Sequence, residues 1–160
     1  MKLQFGMARP ELDYRHRPAV FGIAERDGLI ACVQIKRDAS PAYYDLPGGA
    51  IEGEETEAQA LAREFTEETG LSVSAVDRLT EASQYFVRTD GEALNNVCAF
   101  WIMQIEARHP ERQQEQDHKL VWLTPQEALS KVRHDAHAWA ISCWLRQKAR
   151  HQETAFLAEP

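Results

Sequence analysis

Residues Gly49 to Leu71 read GAIEGEETEAQALAREFTEETGL, and the spacing of their acidic and apolar side chains decides how the rest of the chain is read. Thr56 to Thr69 has the pattern of a helix, and Gly70 closes it, because glycine is favoured where the chain turns left-handed after the last turn. With Thr56 at zero and about 100° per residue, Glu67 falls at about 20°, Glu64 at about 80° and Glu68 at about 120°. Leu61, Phe65, Ala58 and Ala62 fill the sector from about 140° to about 240°. One face is therefore acidic, and the adjoining apolar face can dock on a sheet. Three carboxylates within two turns repel, by roughly a few tenths of a kcal/mol per exposed i,i+3 or i,i+4 pair and by more if desolvated. A divalent cation such as Mg²⁺ or Mn²⁺, which takes carboxylate, carbonyl and water oxygens and is often shared with substrate phosphates, would offset that repulsion. A solvated acidic helix face has the same pattern. The spacing alone leaves both readings open.

Working upstream, Ala19 to Ala24 and Leu29 to Ile35 are apolar runs that bracket Arg26-Asp27-Gly28, a hairpin signal. Tyr43-Tyr44-Asp45-Leu46 then leads into Pro47-Gly48-Gly49, a turn rich in breakers that feeds the helix. Downstream, Leu71 to Val76 has strand character, and Thr80 to Arg88 and Asn96 to Ile105 read as two more strands around Thr89-Asp90-Gly91. The sheet is expected to be mixed or antiparallel. His109 to His118 is polar, lacks periodicity and reads as an exposed loop of the kind that often rims a site. Leu120 to Leu123 follows, then Thr124-Pro125-Gln126-Glu127, with an N-cap threonine, a proline at the first helical position and a glutamate three residues after the cap. Ala136, Trp139, Ala140, Cys143 and Trp144 form one face of a last helix, over about 134–148, with 149–160 as a tail. Neither a repeat nor an interdomain linker is visible, so residues 1–160 read as a single α/β domain.

Lys plus Arg number 18 against 25 Asp plus Glu, a net charge of -7, which argues against a broad nucleic-acid or anionic-membrane surface. A negatively charged substrate would have to be met locally, by a few basic residues or a bound cation. The 3 cysteines are widely spaced and form no C-x-x-C pair, so a disulfide framework or thiolate zinc site is not expected. The longest apolar run, Val97 to Met103, is far short of a membrane span of about 20 residues, and the N-terminus lacks the apolar core of a signal peptide. A cytoplasmic location is the resulting expectation.

The same 23 of 160 residues resemble the signature of the Nudix hydrolases, G-x5-E-x7-R-E-U-x-E-E-x-G-U, with U a bulky apolar residue. Gly49, Glu55, Arg63, Glu64, Phe65, Glu67, Glu68, Gly70 and Leu71 fill every specified place, and Phe65 stands where an aliphatic residue is more usual. The preceding Leu46-Pro47-Gly48 also resembles the family's entry into the motif. The resemblance implies a Nudix fold, a mixed β-sheet sandwiched between α-helices, with the motif as a loop-helix-loop that holds divalent cations. It implies Glu64, Glu67, Glu68 and the backbone carbonyl of Gly48 as metal ligands, with Glu55 and Arg63 paired to hold the helix in place.

Nudix enzymes cleave a nucleoside diphosphate linked to another group. The expected substrate is first a nucleoside triphosphate or dinucleoside polyphosphate, and otherwise ADP-ribose or a nucleotide sugar. Members often draw a further acid from a loop before a late strand. Glu115 and Asp117 lie in such a loop and Glu115 ranks first, with plain solvated loop residues as the alternative. Tyr85 and Phe86 lie where some members place substrate-selecting residues, and Tyr85 is the candidate base contact, although alternation along a strand makes half of that set core. Arg15, Arg17, Lys36 and Arg37 flank the first hairpin; of these Arg17, Lys36 and Arg37 are the candidate phosphate contacts, with ordinary surface charge as the other reading. His134 and His137 have a spacing that allows a shared metal, but no third ligand is visible nearby and capping or surface roles are the plainer expectation. Trp101, Trp122, Trp139 and Trp144 sit in apolar patterns and are assigned to the core or a subunit interface. The resemblance suggests a homodimer, while a monomer fits the composition as well. A non-catalytic nucleotide sensor is the competing class, and the complete acidic cluster favours the enzyme, since sensors commonly lose one of these glutamates.

Overall fold

The computed structural model describes residues 3–37 and 40–157. The first hairpin forms as its turn chemistry dictates. Strand β2 (Arg15–Arg26) pairs antiparallel with β3 (Leu29–Ile35), and the turn residues Asp27 and Gly28 have φ of 53° and 78°. Two successive left-handed residues match the twist of the flanking strands. Short strands β4 (Tyr43–Asp45) and β5 (Gly48–Ala50) lead into helix α1 (Glu57–Thr69). Thr56 and Gln59 form a reciprocal capping box at its start, and Gly70, at φ 70°, closes it.

Strand β6 (Leu71–Val87) and β7 (Ala93–Arg108) form a long antiparallel pair, and β1 (Gln4–Phe5) adds to β6 in parallel. After a short 3-10 turn, Pro110–Arg112, strand β8 (His118–Leu123) pairs with β3 and leads to α2 (Pro125–Lys131) and α3 (Asp135–Leu157). The strand order is β1-β6-β7-β2-β3-β4, with β5 on β2 and β8 on β3. The β2–β7 and β1–β6 pairs are parallel and the other strand pairs antiparallel, so the sheet is mixed as expected.

Alternation along β2 explains the layers. Ala19, Phe21 and Ile23 pack in one core with Ala136, Ala140, Ile141 and Trp144 of α3. Val20 and Ala24, on the opposite face, pack with Ala60, Leu61 and Phe65 of α1. The apolar sector of the motif helix thus docks on the sheet and leaves its acidic sector to a cleft. Trp144 is buried, whereas Trp139 is half-exposed and donates from Nε1 to Thr80 Oγ1 at 3.3 Å. Among the described residues no helix is long and apolar enough to cross a membrane.

Two boundaries differ most from the pattern-based expectation. Leu71 to Val87 is one continuous strand rather than two, because register shifts at Ser72/Val73, Ala75/Asp77 and Arg78/Thr80 absorb the polar Asp77–Arg78 step without breaking the pairing to β7. Helix α3 runs to Leu157, past the expected 148. Residues 149–157 carry no proline or glycine and several straight-chain residues that tolerate helix, so propensity extends α3 after the apolar face ends.

Candidate active site

The loop before α1 permits backbone approaches that a side chain would block. Gly48 has φ 140°, and a Cβ there would lie 2.1 Å from the Val20 carbonyl oxygen. At Gly49 an added Cβ would lie 2.4 Å from Glu64 Oε1, so this carboxylate rests directly on the loop backbone.

Arg63 ties the helix to that loop. Its Nε and Nη2 donate to the two oxygens of Glu55 at 2.7 and 2.9 Å, and Nη2 also donates to the Ala50 carbonyl at 3.0 Å. Nη1 donates to Glu64 Oε1 at 2.9 Å and lies 3.5 Å from Glu67 Oε2. The Arg63 hydrogen bonds, helped by the Glu52 N–H, hold the Glu55 carboxyl down at about 2. Burial raises the Glu64 carboxyl above its ordinary value, against the pull of Arg63.

Glu68 is buried. Its Oε2 accepts from the Gly48 N–H at 2.9 Å, and Oε1 lies 3.2 Å from His118 Nε2. Burial pushes Glu68 up to about 7, against the opposing hydrogen bonds of His118 and Gly48. His118 Nδ1 lies 2.8 Å from Asp117 Oδ1 and 3.9 Å from Glu115 Oε2. Burial works to lower the His118 ring, but the hydrogen bonds and charges of Glu68 and Asp117 outweigh it and raise the ring to about 9.

Gly48, Arg63, Glu64, Glu67, Glu68 and His118 line a cleft of about 350 Å³ together with Arg17, Arg37 and Glu115. A second set of lining residues is Tyr43, Asp45, Phe86, Arg133 and His134. Arg133 Nη2 donates to Asp45 Oδ2 at 2.7 Å, and its guanidinium lies 4.0 Å from the Tyr43 ring centre. Burial pushes Asp45 up to about 6, against the charge and hydrogen bond of Arg133. Beside them His137 is fully buried, accepts the Leu46 N–H on Nδ1 at 3.2 Å and packs against Phe21 at 4.3 Å between ring centres.

Most of the residues singled out in the sequence meet here. Gly48, Arg63, Glu64, Glu67, Glu68, Glu115, Arg17 and Arg37 line the cleft, and Glu55 lies behind Arg63. The loop carrying Glu115 is tied to the motif helix, since the Gln114 and Glu115 N–H groups donate to the Glu67 carbonyl at 2.9 and 3.0 Å. Arg37 is already paired with Asp117 at 2.7 Å. Lys36 and Tyr85 are not among the lining residues. Tyr85 packs edge-on against Tyr14 at 4.8 Å, and its neighbour Phe86 faces the cleft, because successive residues of a strand point to opposite faces. His134 and His137 are buried, with ring centres 5.5 Å apart; His134 does stand at the N-cap position of α3, its carbonyl accepting the Ala138 N–H at 3.3 Å, but its ring packs against His137 and Phe86.

His118, Arg133 and Asp45 emerge only from the structure, and of the pair Tyr85 and Phe86 it turns Phe86 to the cleft. For His118 a signal existed: it shares strand parity with Leu120 and Trp122, which pack on the α1 side of the sheet. Extending that strand by two residues would have aimed it at the motif helix. The carboxylate set fits a hard divalent cation. Glu64, Glu67 and Glu68 converge on one cleft, and among the described residues only Arg63 and His118 make ion-pair contact with them.

Comparison with known proteins supports the same assignment from outside the geometry. The family model described as NUDIX domain matches residues 15–145. The chain is 29% identical over 111 residues to the CTP pyrophosphohydrolase of Escherichia coli, covering 69% of this chain and 77% of that protein. It is 31% identical over 127 residues to a MutT-like protein of Streptomyces ambofaciens, covering 79% and 73%. The structure of a NUDIX hydrolase from Nitrosomonas europaea superposes with a TM-score of 0.72 at 19% identity, over 84% of this chain and 91% of that one, and shows the same fold. The chain therefore belongs to the NUDIX family and is a MutT-like pyrophosphohydrolase.

Proposed function

We propose that the chain hydrolyses a nucleoside triphosphate, with Mg²⁺ or Mn²⁺ held by Glu64, Glu67, Glu68 and the Gly48 carbonyl. The observation that carries this reading is the juxtaposition, in one cleft, of three carboxylates short of countercharge and an arginine short of a partner. Arg17 lines the cleft, its Nη1 is 3.4 Å from Asn96 Oδ1, and among the described residues no carboxylate lies within ion-pair distance of it. Burial draws its pKa down, yet a guanidinium stays charged across the working range. A phosphate oxygen is the partner that such a group fits.

When bound, the cation supplies positive charge at the phosphate oxygens and acidifies the attacking water. The protein's own part is orientation. Arg63 holds Glu64 and fixes the helix to Glu55 and Ala50, and the Gly48 N–H fixes Glu68. Glu115 would accept the proton of the water, a role supported by its position on the cleft wall and by the bonds that tie its loop to the Glu67 carbonyl. Phe86, in place of Tyr85, offers the cleft a ring on which a base can stack. Cytidine triphosphate leads the substrate panel because the Escherichia coli relative is named for it.

The test is product analysis with CTP and the other nucleoside triphosphates, dinucleoside polyphosphates and ADP-ribose, with Mg²⁺ or Mn²⁺, beside Glu67→Gln. Metal-dependent release of pyrophosphate and nucleoside monophosphate is expected, with kcat lower by about 10²-fold or more in the variant. Tight metal-dependent nucleotide binding with no turnover of any compound would instead make the chain a sensor.

A further inference from the structure

Glu68 differs from the other two motif carboxylates in that protein groups hold both of its oxygens, the Gly48 N–H on one and His118 on the other. The His118 ring is itself held. Its far nitrogen lies 2.8 Å from Asp117 Oδ1, and Asp117 Oδ2 accepts from Arg37 Nε at 2.7 Å. A continuous polar chain of Arg37, Asp117, His118 and Glu68 thus runs from two separate loops to the motif helix, and its first three members lie outside the signature. With the ring in this orientation each nitrogen faces a carboxylate oxygen, whereas a flipped ring would turn carbon atoms towards them.

We propose that His118, oriented by Asp117, is a positioning residue that fixes the Glu68 carboxylate in the conformation that presents its remaining lone pairs to a divalent cation. The inference rests on the reading of Glu68 as a cation ligand. Each carboxylate oxygen has two lone pairs, so one hydrogen bond per oxygen still leaves a site for the cation. The rotamer that keeps both bonds is the one already anchored to Gly48, and a buried carboxylate that lost the His118 bond would turn towards any other donor within reach. Partners of metal-ligating groups typically contribute about 10- to 100-fold in metal affinity, and Glu68 is the ligand whose burial makes it most dependent on such a partner.

The experiment is Mn²⁺ binding to the full chain without nucleotide, followed by electron paramagnetic resonance and calorimetry, with thermal melts to confirm folding. His118→Leu should weaken Mn²⁺ binding by about 10- to 100-fold, and Asp117→Asn by less. His118→Gln should recover most of the loss, because its amide N–H can donate to Glu68. In a Glu68→Gln background, His118→Leu should add no further loss. Unchanged or tighter Mn²⁺ binding in His118→Leu, or an equal loss in both backgrounds, would overturn the positioning role. Wild-type affinity in Glu68→Gln alone would overturn the ligand reading beneath it, which separates the two failures.

Discussion

His118 and His134 line the same cleft and are almost equally buried, 8% and 7% exposed, yet their protonation equilibria move in opposite directions. His118 stands between Glu68 and Asp117 and is raised to about 9. His134 faces the rings of Phe86 and His137, burial lowers it to about 3, and the nearby Arg133 charge adds to that. Burial always penalises the charged ring, so the sign of the result depends on whether a carboxylate hydrogen-bonds it; His137, whose Nδ1 lies 3.7 Å from Asp45 Oδ1 but accepts the Leu46 N–H, stays lowered. The contrast extends to the surroundings. Around His118 polar groups collect charge for a ligand to use. Around His134 and His137 the chain packs neutral imidazoles as core material.

The first way to break this division is to remove charge on the His118 side. Glu64→Gln should lower kcat/KM by about 10²- to 10³-fold, while the melting temperature stays level or rises, because one of three mutually repelling and partly desolvated carboxylates is gone. Steady-state kinetics beside calorimetry checks both halves. A large fall in melting temperature would show that this carboxylate is structural.

The next largest effect belongs to the other side. His137→Leu keeps a buried side chain of similar size but leaves the Leu46 N–H without its acceptor. A stranded buried donor costs about 1–3 kcal/mol, so denaturant unfolding should show a loss in that range. Because Leu46 enters the Gly48 turn, activity should follow stability and recover at low temperature, unlike that of Glu64→Gln.

His134→Phe sharpens the comparison through pH. The folded-state pKa, about 3, lies below the ordinary 6.5, so the neutral ring contributes stability that is fully present above pH 6.5 and is lost as pH falls towards 3. Among the described residues His134 Nε2 has no hydrogen-bond partner, so removing it breaks no bond at that atom. The variant should therefore lose less stability than the wild type between pH 6.5 and 3, with the difference between them changing by up to one proton's worth across the window. Parallel stability curves would show that the folded ring is protonated.

What could be read in advance follows from which contacts are local. The acidic and apolar sectors of α1 and its Gly70 stop, the Thr124 cap of α2 and the Asp27-Gly28 turn depend on neighbours within a few positions, and all appear as expected. The Asp45–Arg133 and Glu68–His118 pairs join residues far apart in the chain, and no periodicity encodes them. Tyr85 and Phe86 lie in Thr80–Val87, which pairs with β7 without a register shift, so alternation puts them on opposite faces but does not say which of the two faces the cleft.

The smallest predicted effect tests whether the Arg63 clamp acts through charge or through shape. The Glu55 carboxyl is held at about 2 against an ordinary 4.5, first by the Arg63 hydrogen bonds. A depressed carboxyl contributes stability that is present above pH 4.5 and is lost as pH falls through about 2. The group is half-buried but still open to solvent on one side, so that contribution is small and partly screened by salt. Glu55→Gln should thus melt slightly below the wild type at pH 7 in low salt, and the gap should close both on acidification towards pH 2 and on addition of 0.5–1 M salt, roughly enough to shrink the screening length to a few ångströms. A gap that survives both treatments would place the contribution in the fixed bidentate geometry with Arg63, in which case Arg63→Lys, which keeps the charge and loses the fork, should cost more than Glu55→Gln.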